Sequence, residues 1–110
     1  AIVGYYTLAS ASIPLTALPE TLRRKMPRYP SVPAILMGRL AVDQNFQGLG
    51  IGSSLLADAL SRAKRAEITA FALIVDSKDD EAACFYHHHG FISLQDSPLT
   101  LFLPLATVPD

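Results

Sequence analysis

Apolar and polar positions follow several distinct rhythms along this chain. Ile2-Val3-Gly4-Tyr5-Tyr6-Thr7-Leu8 is aromatic and β-branched and predicts a strand at the very start. Residues 13–33 are broken by Pro14, Pro19, Pro27, Pro30 and Pro33 and read as a stiffened insertion between two strands. Within it, Glu20 to Met26 predicts two helical turns, started at Thr16 or Pro19 and stopped by Pro27. Ile35 to Val42 is the next apolar run and predicts a strand whose weak point is Gly38. Asp43, Gln44 and Asn45 are loop formers. After a glycine-rich turn, Leu55, Leu56, Ala59, Leu60 and Ala63 recur at three- and four-residue spacing, the mark of an amphipathic helix reaching Arg65. Ala70 to Asp76 is continuously apolar up to its last residue. It predicts a buried strand, parallel to 35–42 and joined to it by the crossover helix. Lys78 to His89 predicts a second helix with Ser77 as its cap, acids in its first turns, and an inner side of Ala82, Ala83, Phe85, Tyr86 and His89. Gly90 closes it as a left-handed cap. Phe91 to Leu94 and Leu99 to Leu105 predict two short strands, joined by a turn at Gln95-Asp96-Ser97-Pro98.

The turn before the first long helix carries the sharpest chemical signal. In Gln47-Gly48-Leu49-Gly50-Ile51-Gly52-Ser53 the glycines let backbone approach a ligand, and a helix start offers unpaired N–H groups and the positive end of the dipole. A phosphate-bearing ligand over the N–H groups of about Leu49 to Ser53 follows. The dinucleotide pattern G-x-G-x-x-G does not fit glycines at 48, 50 and 52, and a P-loop needs a lysine that the turn lacks. What remains is Gln-x-x-Gly-x-Gly, made by Gln47, Gly50 and Gly52 after the strand end Arg39-Leu40-Ala41-Val42. A flexible turn capping a core helix is the plain alternative.

Composition narrows the setting. The chain has 110 residues, half of them apolar and 17% charged, which suits one small globular domain spanning 1–110. No apolar run is long enough for a membrane helix. Cys84 is the single cysteine, so an internal disulfide is excluded and a reducing, cytoplasmic setting is expected. Ala1 is not an initiator methionine, and the first strand starts without a lead-in. The expectation is that the N-terminal third of a larger domain is absent. Charge is uneven: eight of the nine Lys/Arg lie in residues 1–65, with Arg23, Arg24, Lys25 and Arg28 clustered. Such a patch steers polyanions, or is simply a solvated face.

Two segments together resemble the GNAT acyltransferases. Gln47, Gly50 and Gly52 look like the loop of their motif A, and Ala83-Cys84-Phe85-Tyr86-His87-His88-His89-Gly90-Phe91 carries the F-Y-x-x-x-G-F of their second element. Gly4-Tyr5-Tyr6-Thr7-Leu8, Arg39-Leu40-Ala41-Val42-Asp43, Leu55-Leu56-Ala57-Asp58-Ala59-Leu60, Val75-Asp76 and Leu101-Phe102-Leu103-Pro104-Leu105 are more narrowly similar to the GNAT toxins of toxin–antitoxin pairs. The resemblance implies an α/β fold: a mixed, mostly antiparallel sheet flanked by helices, whose two parallel strands diverge to admit a pantetheine arm. It implies acetyl-CoA as co-substrate, no metal, and transfer of acetyl to the α-amine of aminoacyl-tRNA, which blocks translation. It implies a ribbon-helix-helix antitoxin as partner and admits a homodimer. Gln47, Gly48, Leu49, Gly50, Ile51, Gly52 and Ser53 are then the pyrophosphate loop. Leu40, Ala41 and Val42 offer backbone groups to the arm, and Tyr86 is the proton donor to the leaving thiolate.

A phenol is neutral at pH 7 and can donate a proton, which suits that role, although a helix tyrosine is also a common core residue. Departures from the family are also legible. Ser77-Lys78-Asp79-Asp80 stands where many GNAT enzymes have an Asn that contacts CoA, and no general base is evident. His87, His88 and His89 project about 100° apart on a helix and cannot converge on one ion, and Cys84 reads as core. Two other functions stay open: a silent GNAT module that binds CoA or an antitoxin, and a GNAT enzyme for a small-molecule or protein amine.

Overall fold

The computed structural model describes residues 4–26, 30–42, 48, 50–66, 69–95 and 97–109, with the backbone alone at Arg39 and Val42. The elements, in chain order, are strand β1 (Gly4–Pro14), helix α1 (Glu20–Arg23), strand β2 (Ser31–Val42), helix α2 (Ile51–Lys64), strand β3 (Ala72–Asp76), helix α3 (Asp80–His88), strand β4 (Ile92–Leu94) and strand β5 (Ser97–Pro104). One five-stranded sheet runs β1-β2-β3-β5-β4. Only β2 and β3 are parallel, and the other three pairings are antiparallel. The crossover through α2 between parallel strands is as the residue pattern predicted, and the mixed, mostly antiparallel sheet is as the resemblance implied.

The strands reach further into the proline-rich stretch than expected. β1 continues to Pro14 and β2 begins at Ser31, so Ser12 pairs with Pro33 and Pro14 with Ser31. Proline tolerates such places because a strand end or edge asks nothing of its missing N–H. Between them, Pro19 caps α1, and its carbonyl accepts from Leu22 and Arg23.

Side chains divide the core between the two sheet faces. On one, α2 and α3 bury Leu56, Ala59, Ala63, Ala83 and Tyr86 against Met37, Leu73, Val75 and Leu101. On the other, Leu18 of the 15–26 segment packs with Ile13, Val32, Ala34, Ile74 and Phe102. β3 is buried on both faces, which is why its run is apolar without alternation. Ile13, Leu18 and Phe102 are fully buried, so the proline-stiffened segment is a lid over real core. On α2's outer side, Asp58 accepts from the Tyr6 hydroxyl and pairs with Arg62 at 3.1 Å, clipping helix to β1. These groups are largely exposed, so the clip orients more than it stabilises.

α3 starts later than expected. Its cap is Asp79, not Ser77: Asp79 Oδ1 accepts from Ala82 N at 2.8 Å. Its end follows the pattern foreseen for Gly90, which has φ 92°. Gly90 N donates to His87 O and Phe91 N to Tyr86 O, the paired bonds of a Schellman ending. Among the described residues, no helix is long and apolar enough to cross a membrane.

Candidate active site

The site grows from the place where the parallel pair comes apart. β2 and β3 pair only from Ala34–Met37 against Ala72–Val75. β3 then ends at Asp76, while β2 runs on to Val42 beside β1 alone. Gly38 starts this parting. Thr7 pairs with Arg39 and Leu8 with Met37, so Gly38 is an extra residue bulged out of β2. The bulge shifts side-chain parity, and Met37 and Leu40 both face the α2–α3 side. A Cβ at Gly38 would lie 2.9 Å from Thr7 Oγ1, closer than real contacts allow.

The parted strands enclose a cleft of about 250 Å³. Met37, Gly38, Leu40 and Ala41 form its β2 wall; Asp76, Ser77 and Lys78 form the other; Ala82 and Tyr86 close it from α3. That volume lies below the roughly 300–1,000 Å³ of a drug-sized pocket and suits a narrow arm. Of the strand residues expected to act, Leu40 and Ala41 line the cleft, and the Val42 backbone continues the same strand. Met37, Gly38, Asp76 and Ala82 were not foreseen; Ser77 and Lys78 belong to the 77–80 stretch read from the sequence as a departure at a ligand-contacting position. A glycine inside a strand was the one available signal, since it so often marks a bulge.

Tyr86 is 8% exposed, held between Phe85 and Phe91 with ring centroids 5.2 and 5.3 Å away. Burial raises its pKa above the ordinary 10.0 by disfavouring the phenolate. The phenol therefore stays protonated across the neutral range. Tyr86 is thus both core aromatic and cleft lining, and the two readings of its role coexist.

Of the glycine turn ahead of α2, Gly48 and Gly50 are described. Gly48 and Gly50 have φ 84° and 77°, and a Cβ at either would meet nothing within 4 Å. Space at these positions is open, so the requirement for glycine is conformational. Gly50 is the cap of α2 and makes no side-chain bond to it, and the first helical bond runs from Ser54 N to Gly50 O. The N–H groups of Ile51, Gly52 and Ser53 thus belong to a first turn without side-chain capping, beside the dipole's positive end. Gln47 and Leu49 lie outside the described residues. The Ser53 hydroxyl meets His89 Nε2 at 3.0 Å and ties this turn to the end of α3.

The remaining candidates disperse. His87 bonds Phe91 O through Nδ1 and the Ser93 hydroxyl through Nε2, both at 3.1 Å, while His88 is exposed and His89 turns to Ser53. No group of three metal-binding side chains occurs among the described residues. Cys84 is exposed rather than core, because α3 turns Ala83 and Tyr86 inward. Arg23 and Lys25 are exposed, and Arg24 is paired with Glu20 at 2.7 Å; Arg28 lies outside the described residues. A larger cavity of about 740 Å³ lies away from the parted strands, among Leu22, Leu60, Ile92 and Leu103. It is mostly apolar, with Ser61, His89 and Thr107 as its polar side chains.

Known proteins share this arrangement. The family model described as acetyltransferase (GNAT) domain matches residues 2–93. A tRNA-acetylating toxin of Mycobacterium tuberculosis is 44% identical over 104 residues, covering 93% of this chain and 61% of its own length. The structure of AtaT complexed with acetyl-methionyl-tRNAfMet superposes with a TM-score of 0.88 at 33% identity, over 96% of this chain and 64% of AtaT. A further structure, an AtaT variant bound to the C-terminus of the antitoxin AtaR and acetyl-CoA, gives 0.75 at 26% identity, over 96% and 61%. The chain thus spans about three-fifths of the length of the relatives it matches. A bulged strand parting from its parallel neighbour, a buried tyrosine lining the cleft so formed and a glycine-opened helix start, found together under a matching family model, mean that this chain belongs to the GNAT acetyltransferase family.

Proposed function

We propose that this chain is the catalytic domain of an acetyl-CoA-dependent N-acetyltransferase of the toxin kind, which acetylates the α-amine of aminoacyl-tRNA and so blocks translation. The observation that carries the reading is the parting of β2 from β3 with Tyr86 closing the cleft, together with a start of α2 that has no side-chain cap and is tied to α3 through Ser53 and His89. Relatives named for tRNA acetylation, or solved with acetylated tRNA, support the acceptor. A neighbour holding acetyl-CoA and an antitoxin supports the co-substrate and the partner. In this reading the backbone of Leu40, Ala41 and Val42 takes the pantetheine arm as a surrogate strand. The loop Gln47, Gly48, Leu49, Gly50, Ile51, Gly52 and Ser53 takes the pyrophosphate, with Gln47 and Leu49 assigned from sequence alone. Residues 1–110 act as one domain. A ribbon-helix-helix antitoxin, a homodimer and a cytoplasmic location complete the proposal.

The chemistry asks little of side chains. A neutral amine attacks the thioester carbon, the C–S bond breaks, and the departing sulfur needs a proton. Tyr86 supplies it from a phenol kept protonated by burial. The amine's own proton leaves to water. Tyr86→Phe keeps the ring packing and removes the donor. Turnover on charged tRNA should fall about 10²- to 10⁴-fold, the usual worth of such a transfer, with acetyl-CoA affinity nearly unchanged. Equal turnover in both proteins removes the role from Tyr86. If the parent chain binds acetyl-CoA in calorimetry yet acetylates no charged tRNA, a binding module replaces the enzyme.

A further inference from the structure

Ser77 stands immediately after β3, where the parallel strands have parted. It is 9% exposed, and its hydroxyl oxygen is the one buried side-chain oxygen without a hydrogen-bond partner among the described residues. It lines the same cleft as Tyr86 and the Gly38 bulge. Its backbone has little freedom. Ser77 N donates to Leu99 O at 2.7 Å, the preceding Asp76 accepts from the Thr100 hydroxyl at 2.9 Å, and Asp79 is committed to capping α3. Only the hydroxyl can turn. An unpartnered buried hydroxyl is destabilising, a cost that alanine would avoid at the same backbone position. In the position it holds the oxygen has almost no exposed surface, so a partner in the cleft is met by rotation of the hydroxyl.

The arrangement makes sense when the partner arrives with a ligand. Across the cleft, β2 presents backbone groups that have no β3 partner beyond Met37. On the near wall β3 has ended, and the first N–H past it is already given to Leu99. Beside the exposed Lys78 and an Asp76 that accepts from Thr100, that wall holds the buried, unpartnered Ser77 hydroxyl. We propose that Ser77 is a co-substrate-binding residue, its Oγ–H donating to a carbonyl oxygen of the acyl-pantetheine arm seated between β2 and β3. This assignment rests on the acetyl-CoA reading of the cleft and goes beyond it by giving the second wall a role.

Titration calorimetry and thermal melting of the parent chain and Ser77→Ala, each with CoA and acetyl-CoA, test it. Without ligand, Ser77→Ala should melt no lower than the parent, because an unsatisfied group has gone. With ligand, its affinity should fall about two- to tenfold, the range of one net hydrogen bond. A loss for both ligands places the bond on a pantetheine amide; a loss for acetyl-CoA alone places it on the acyl carbonyl. Unchanged affinity for both ligands overturns the proposal, and so does a lower melting temperature of the ligand-free variant, which would make the hydroxyl a structural group. A parent chain that binds neither ligand overturns the acetyl-CoA reading and this inference with it, an outcome distinct from a parent that binds and a variant that binds equally well.

Discussion

At Gly38 the absence of one methyl group decides where a strand goes. The bulge lets Met37 and Leu40 face the same side of the sheet, and it opens the gap that β3 does not follow. Thr7 Oγ1 fills the space a side chain would need. Gly38→Ala should therefore destabilise the chain by about 1–3 kcal/mol, the usual cost of forcing a methyl into a packed place. Denaturant melts will register it as a lower midpoint with an unchanged slope. Thr7→Ala added to that variant should recover part of the loss; no recovery means that the bulge backbone, not the crowding by Thr7, sets the requirement. Tyr86 illustrates the same scale from another side. Its burial serves packing and, by the same desolvation, keeps its proton in place.

Elements carry the division of labour between holding and reacting. α2 begins on a left-handed glycine with no side-chain cap, an arrangement that is poor for an isolated helix and good for an anion. α3 has the reverse design: an aspartate cap, acids in its first turn and a Schellman ending, which hold Tyr86 rigidly. The contrast predicts how Gly50 variants behave. Gly50→Ala and Gly50→Glu both meet open space, and both incur the strain of φ 77°, about 1–3 kcal/mol. Only the glutamate also brings a carboxylate to the N–H groups where phosphate is expected. Acetyl-CoA titrations should show affinity reduced by more than about tenfold in Gly50→Glu and a much smaller change in Gly50→Ala. Equal losses would assign the effect to strain and leave the anion site unsupported.

Over the whole molecule, positive charge gathers in the half that carries the glycine turn and the lid segment. Its cluster is weaker than its composition suggests, since Arg24 is partly engaged by Glu20. If the lid segment meets tRNA phosphates, Arg23→Ser with Lys25→Ser should weaken binding of charged tRNA. The plot of log K against log salt should flatten by roughly 1–2, at about 0.7–0.9 for each phosphate no longer neutralised. Arg24→Ser should change it less. A slope unmoved by the double variant makes the cluster a solvated face and shifts the tRNA-binding surface elsewhere.

Much of this architecture was legible in the chain because its signals are local. The 3.6-residue spacing of Leu56, Ala59 and Ala63, the unbroken apolar run of β3, and Gly90 after α3 each depend on neighbours within a few residues. The glycines of the turn signalled the start of α2, which Gly50 caps in the left-handed conformation. The reach of β1 and β2 into the proline segment was not legible, because proline at a strand end is decided by which neighbour needs its N–H. Nor were the Asp79 cap in place of Ser77 and the exposed Cys84, which follow from where α3 docks. The second wall of the cleft was hidden for the same reason. That Ser77 is left without a partner becomes visible only when β3 ends, β5 takes its N–H and β2 bends away. Local chemistry is written in order along a chain, whereas an unmet hydrogen bond is a property of everything that surrounds it.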